Sequence, residues 1–167
     1  AVKIARAHTG RRGVIAFRGG FHGRTMFALG LTGKNVPYKT LFGPFPGDIF
    51  HAPYPIPYHG VSKASSLAAL ESLFVSDIPA TDIAAIIVEP VLGEGGFVPA
   101  DAAFFAELRE VTRRHGILMV CDEIQTGFGR TGTLFAAEQL AIDYDLILCA
   151  KSLAAGLPLS AVTGRAE

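Results

Sequence analysis

The chain has 167 residues, half of them apolar and 18% charged, with 15 Lys and Arg balancing 15 Asp and Glu. That apolar content excludes intrinsic disorder, and a chain of this length can bury roughly two-thirds of its surface around one core. Without net charge there is no broad field to hold a phosphate backbone or an anionic bilayer, so neither nucleic acid nor a membrane is an expected partner. No apolar run approaches the roughly 18 residues of a membrane span.

Residues 1–7 read as helix, with no capping residue ahead of them. Residues 14–17 form a short apolar run suited to a buried strand. Residues 33–60 break the pattern, holding six of the ten prolines and three of the four tyrosines. A loop this long inside a compact domain either covers a functional site or packs on a neighbouring subunit, and both readings stay open. A helix is predicted from Ser62 through Leu67, Leu70 and Phe74, followed by a strand over Ile83–Val88.

From Asp101 to His115 the pattern is an amphipathic helix. Asp101 stands at its cap, Phe104, Leu108 and Val111 form its apolar stripe, and Gly116 ends it. Glu110 is spaced to pair with Arg114 one turn on. Strands are predicted over 117–121, 145–149 and 159–164. A strand pattern at the end and Ala1 rather than Met at the head predict an internal piece of a longer protein. Cys121 and Cys149 each lie in an apolar run, which predicts buried free thiols and a cytoplasmic protein. Strands that are apolar throughout, alternating with helices, define the expected fold class: α/β, a mostly parallel sheet with helices on both faces.

In such sheets ligands sit outside the carboxyl ends of the strands. Those ends carry Glu89, Asp122 and Lys151, spaced by 33 and 29 residues, close to the length of successive strand–helix–strand units. Lys151 lies between uncharged stretches, 146–150 and 152–158. That setting predicts a desolvated amine of lowered pKa, able to form a Schiff base with a carbonyl. Asp122 caps the next turn, binds a metal, or serves as the anion that pyridoxal phosphate needs beside its ring nitrogen. Gly127-Phe128-Gly129-Arg130-Thr131-Gly132 matches GxGxxG, yet five residues separate it from the strand, where a dinucleotide-binding loop begins at the strand end. A turn is the expectation there, with a dinucleotide-binding module as an alternative. The histidines contain no HExxH and the cysteines no CxxC, so no metal site is expected. His22 is placed equally well to satisfy backbone groups or to do chemistry.

Phe21-His22-Gly23-Arg24-Thr25, Glu89-Pro90-Val91-Leu92-Gly93-Glu94-Gly95-Gly96, the stretch 122–132 and Ala150-Lys151-Ser152 follow one another in order. With these motifs the chain resembles, over essentially its whole length, the class III pyridoxal-phosphate aminotransferases of fold type I. Leu31-Thr32-Gly33-Lys34 and Tyr58-His59-Gly60-Val61-Ser62 are most similar to 4-aminobutyrate aminotransferases, although ornithine and acetylornithine aminotransferases share the main motifs. Leu92, where many relatives carry Gln, and Ala155, where many carry Gly, depart from the pattern.

The resemblance implies that Lys151 holds pyridoxal 5'-phosphate as a Schiff base and then moves the substrate proton. It implies that Asp122 pairs with the pyridinium nitrogen and that Gln125 contacts the ring hydroxyl. Ile124 would lie against one ring face, and Phe21 would stack on the other. Arg24 would bind the distal carboxylate of the substrate, a task suited to a bidentate guanidinium. Glu94 would help switch substrates by pairing with an arginine beyond these residues. The implied reaction moves an amino group from an ω-amino acid, 4-aminobutyrate, to 2-oxoglutarate in a homodimer. Residues 1–167 would be part of the cofactor-binding large domain, with the phosphate loop preceding them and the small domain following. An aminomutase or racemase of the same fold and a catalytically silent fragment are the alternatives.

Overall fold

The computed structural model describes residues 1–165. Helix α1 (Val2–Thr9) leads into strand β1 (Gly13–Phe17), α2 (Met26–Leu31) and β2 (Ile49–Ala52), then α3 (Lys63–Ser76) and β3 (Ile83–Val88). A small antiparallel hairpin, β4 (Val91–Leu92) and β5 (Val98–Pro99), precedes α4 (Ala102–His115). β6 (Leu118–Asp122), α5 (Ala136–Gln139), β7 (Leu146–Cys149) and β8 (Ala161–Gly164) complete the chain. The main sheet has the order β2-β1-β3-β6-β7-β8, with its first five strands parallel and β8 antiparallel to β7. The expected α/β class with a mostly parallel sheet is what the chain adopts.

The strands are apolar throughout because both faces are covered: every residue of β1 and of β3 is buried. On one face Ile15, Phe17, Ile86, Val88 and Met119 pack under Leu67 and Leu70 of α3 and Phe104 and Leu108 of α4. Phe17, Tyr54 and Phe104 meet there with ring centroids 5.7–5.9 Å apart, two of the three pairs edge to face. On the other face Val14, Ala16, Ile87 and Val120 join Ala5 of α1 and Leu31 of α2.

Helix α4 starts and stops where its signals stand. Asp101 Oδ1 accepts the Phe104 N–H at 2.7 Å, and Gly116 turns left-handed at φ 61° to end it. The expected Glu110–Arg114 pair does not form. Glu110 faces Arg113 at 3.6 Å, and Arg114 reaches Glu71 of α3 at 3.0 Å. The long guanidinium crosses to a neighbouring helix that the spacing along α4 alone does not reveal.

Residues 33–60 are not irregular throughout, because they contain β2. This edge strand pairs on one side only, with β1, so the flanking Pro46 and Pro53 remove no ladder bond. At the head of this stretch a Cβ on Gly33 would lie 2.2 Å from the carbonyl oxygen of Phe17, so only glycine lets the two backbones approach. The last strand starts at Ala161, two residues later than its pattern, and all four of its residues are exposed.

Candidate active site

Because β1, β3, β6 and β7 run parallel, their carboxyl ends share one edge of the sheet. The loop after β1 brings Phe21, His22 and Gly23 there, β3 leads into Glu89, β6 ends on Asp122 with Ile124 and Gln125 beyond it, and β7 leads to Lys151. These eight residues line one pocket of about 320 Å³. A wider cleft of about 900 Å³, lined among others by Gly93, Phe97, Arg130 and Ser152, shares Gln125 and Lys151 with it. The three ionisable strand-end residues do converge.

Asp122 is the most enclosed of them. Its side chain is 3% exposed and that of His22 2%, and His22 Nδ1 lies 2.7 Å from Asp122 Oδ2. An ionised carboxylate only accepts, so Nδ1 carries the proton and the tautomer of His22 is set. Asp122 Oδ1 accepts the Ile124 N–H at 3.1 Å, which orients the carboxylate from its other side. Asp122 therefore does cap the turn that follows β6, and it pairs with His22 as well.

Glu89 does a different job. Its Oε1 accepts the Phe21 N–H at 2.7 Å and its Oε2 the Gly93 N–H at 2.9 Å, so it ties the loop after β1 to the β4–β5 hairpin. Burial pushes its carboxyl above the usual range, against the two N–H groups and the nearby His22. Beneath the site, burial and the carboxylates of Glu123 and Asp122 push the Cys121 thiol well up, which keeps it unreactive.

Lys151 is exposed, not desolvated, and this overturns the reading of its uncharged surroundings as burial. The backbone turns at φ 42° to open a short 3-10 turn, Lys151–Ala154, carrying the side chain to the pocket rim. Lys151 and the Gln125 amide make no hydrogen bond or ion pair among the described residues, so both present unengaged polar groups to the pocket. Gln125 lies close against Gly93, where a Cβ would stand 2.0 Å from its Oε1.

Arg24 and Glu94 lie beside this pocket, not in its lining. The guanidinium of Arg24 sits 5.7 Å from the Phe21 ring centroid and 5.6 Å from that of Tyr38, and Tyr38 donates its hydroxyl to Glu94. The pairing of His22 with Asp122 and the place of Tyr38 are not legible in the sequence: His22 stands out there as a residue of open role, but it is a hundred positions from Asp122, and no spacing connects them. Tyr38 is one of the tyrosines of the proline-rich stretch, whose composition was the only signal.

The GxGxxG segment is a turn. Phe128 and Gly129 both donate backbone N–H groups to the carbonyl of Leu134, and the next helix opens only at Ala136. No helix N-terminus follows the glycines directly, as a dinucleotide pyrophosphate requires. Glu123, fully buried, accepts the Ala136 and Ala137 N–H groups at 3.1 and 2.7 Å and the hydroxyl of Thr126, anchoring that loop.

The strand ends of a parallel sheet in an α/β domain gather a buried Asp–His pair, a free amide and an unpaired lysine around one pocket. The family described as aminotransferase class-III matches residues 1–167, and the chain belongs to that family. It is 56% identical over all its residues to the 5-aminovalerate aminotransferase DavT of Pseudomonas putida, and 52% to the 4-aminobutyrate aminotransferase GabT of Escherichia coli. It covers 39% of each relative, so it spans about two-fifths of their length. An amine transaminase from an uncultivated Pseudomonas species, solved in its PLP-bound form, superposes with a TM-score of 0.87 at 31% identity, covering 96% of this chain and 39% of that one. The fold is that of the fold type I transaminases.

Proposed function

We propose that residues 1–167 form part of the cofactor-binding large domain of a pyridoxal-phosphate-dependent ω-amino acid aminotransferase. The observation that carries this reading is the single pocket shared by Lys151, Gln125, Phe21, Ile124 and the His22-oriented Asp122. The residues fit the cofactor by their chemistry. Asp122 is the buried anion for a ring nitrogen, Gln125 is the unengaged amide for a ring hydroxyl, Phe21 and Ile124 are apolar walls, and Lys151 is the free amine. When bound, the cofactor supplies an aldehyde carbon and a ring that accepts carbanion electrons.

The other steps belong to the chain. Lys151 would hold the cofactor covalently, and its Nζ would take and return the proton at the amine-bearing carbon of the substrate. Asp122, fixed by His22, stabilises positive charge on the ring nitrogen. Arg24, with its donors unpaired and its face against Phe21, holds the distal carboxylate of a substrate such as 4-aminobutyrate or 5-aminovalerate. The relatives named for those two amino acids support this substrate class. 2-Oxoglutarate is the proposed amino acceptor. The family also supports a homodimer, and the free thiols of Cys121 and Cys149 support a reducing, cytoplasmic setting.

The test is borohydride reduction of the full-length protein with pyridoxal phosphate, followed by peptide mass mapping. The expected result is a pyridoxyl adduct on the Lys151 peptide and amino transfer from 4-aminobutyrate or 5-aminovalerate that requires an oxo acid. An unmodified Lys151 refutes the proposal, and product formation without an oxo acid replaces it with an aminomutase.

A further inference from the structure

We propose that Thr32 is a positioning residue for the ring-nitrogen side of the site, acting through His22 on Asp122. This rests on the reading of Asp122 as the partner of that nitrogen. Thr32 closes α2, is fully buried and stands outside the lining of the pocket. Its hydroxyl donates to the Ala28 carbonyl at 3.1 Å, one turn back, and accepts the His22 N–H at 3.2 Å. His22 in turn donates from Nδ1 to Asp122 Oδ2 at 2.7 Å. A continuous chain of hydrogen-bonded residues therefore runs from the end of α2 to the carboxylate.

The two bonds of this hydroxyl are not equal. The Ala28 carbonyl also accepts the backbone N–H of Thr32 at 3.0 Å, so it keeps a partner without the hydroxyl. The His22 N–H has no other acceptor among the described residues. Loss of the hydroxyl therefore falls on the residue that orients Asp122, and leaves its backbone donor unpaired. The backbone around Thr32 is itself held. Gly19 donates to the Gly33 carbonyl at 3.1 Å and Gly33 to that of Gly20 at 2.8 Å, which stitches the loop after β1 to the end of α2. Lys39 Nζ donates to the Thr32 carbonyl at 3.1 Å, and His51 Nε2 lies 2.9 Å from that of Leu31, so carbonyls that a helix end leaves open are engaged. Both side chains come from the proline-rich stretch 33–60, which thereby braces the end of α2. Arg24, at the other end of this helix, is held separately by the Thr25 cap, whose side chain accepts the Ala28 N–H at 3.3 Å. Thr32 thus bears on the Asp122 side of the site and not on the side of the substrate carboxylate.

The test uses the full-length enzyme and its single-turnover reaction with 4-aminobutyrate in T32V, T32S, H22F, T32V/H22F and D122N. Valine keeps the shape of threonine and removes the hydroxyl. The maximum rate of T32V is expected to fall about tenfold, the worth of one hydrogen bond, with the half-saturating concentration within about twofold of wild type. T32S keeps the hydroxyl and is expected to keep the rate. In the H22F background T32V is expected to change the rate by less than about twofold, because the link to Asp122 is already broken. Should T32V fail to fold, T32A removes the hydroxyl with less bulk and is read in its place. An unchanged rate in T32V, with D122N strongly impaired, overturns the role of Thr32 and leaves the Asp122 reading standing. An equal loss with and without His22 also overturns it, because the hydroxyl then serves the loop as a whole, and so does a T32S enzyme as slow as T32V. If D122N itself reacts normally, the reading of Asp122 and this inference fail together.

Discussion

Glu89→Gln tests whether the pocket walls are held by a carboxylate that does no chemistry. Glu89 accepts two backbone N–H groups, one per oxygen, from Phe21 at 2.7 Å and Gly93 at 2.9 Å. Glutamine keeps the shape but offers one oxygen and one NH₂, so one of the two backbone donors then faces another donor. The lost hydrogen bond to a charged group is worth about 1.5–3 kcal/mol. The same substitution removes a buried charge whose desolvation opposes folding, so global stability should stay within about 1 kcal/mol of wild type. The loss then falls on the loops: a local opening free energy reduced by about 2 kcal/mol corresponds to roughly thirtyfold faster amide exchange there. Hydrogen–deuterium exchange of the full-length protein should show this around Phe21 or Gly93, with α4 unchanged and cofactor binding weakened. Unchanged exchange in both loops would refute the reasoning. The pH dependence adds a check of sign. Burial raises the folded pKa of Glu89 above its ordinary value of about 4.3, so its contribution is intact below that value and lost as pH rises through the folded pKa. Wild type should therefore lose stability relative to E89Q as the pH is raised, and a gap that widens in the other direction would contradict the assignment.

Leu108, fully buried between α4 and the sheet, should cost about 2–5 kcal/mol when cut to alanine, read from urea unfolding. A cost below about 1 kcal/mol would mean that the site of the substitution collapses without a cavity. Asp145 accepts the Arg109 guanidinium at 2.6 and 2.8 Å and the Met119 N–H at 2.8 Å. Burial pushes its carboxyl up, but those bonds and the charges of Arg109 and Arg165 outweigh it and leave the pKa lowered. Its contribution is therefore present above the ordinary Asp value of about 3.9 and lost as pH falls through the folded pKa. Asp145→Asn should cost about 2 kcal/mol at neutral pH and much less in strong acid, whereas an equal cost at both would exclude an ionic origin. Gly93→Ala places a Cβ 2.0 Å from Gln125 Oε1, so the amide must move. Cofactor affinity should fall about tenfold, measured by equilibrium titration, with the fold intact by circular dichroism, and an undiminished affinity would remove Gln125 from the binding set.

The strands legible in the sequence are those buried on both faces. β1 and β3 read as apolar runs because no residue in them meets water, and α4 was legible to the residue because its cap, stripe and terminal glycine agree. β2 was not, because an edge strand of three half-buried residues and one buried one, between prolines, carries neither a continuous apolar run nor a clean alternation. α2 is six residues long, too short for a helical period to repeat, and its Thr25 cap is one of many threonines until the helix behind it is known.

The site divides along a similar line. Charges at the tips of apolar strands stand out in a one-dimensional reading, which is why Glu89, Asp122 and Lys151 could be placed at one edge before any coordinates. What each charge faces is not a local property. Glu89 is engaged by two backbone amides, one of them 68 positions away, and Asp122 by a histidine 100 positions away. Lys151 shows the limit most clearly: uncharged neighbours in sequence suggest an apolar enclosure, yet residues 155–165 are exposed and nothing in this stretch covers the amine. Desolvation depends on atoms packed around a group in space, and residues 1–165 do not supply them at Lys151.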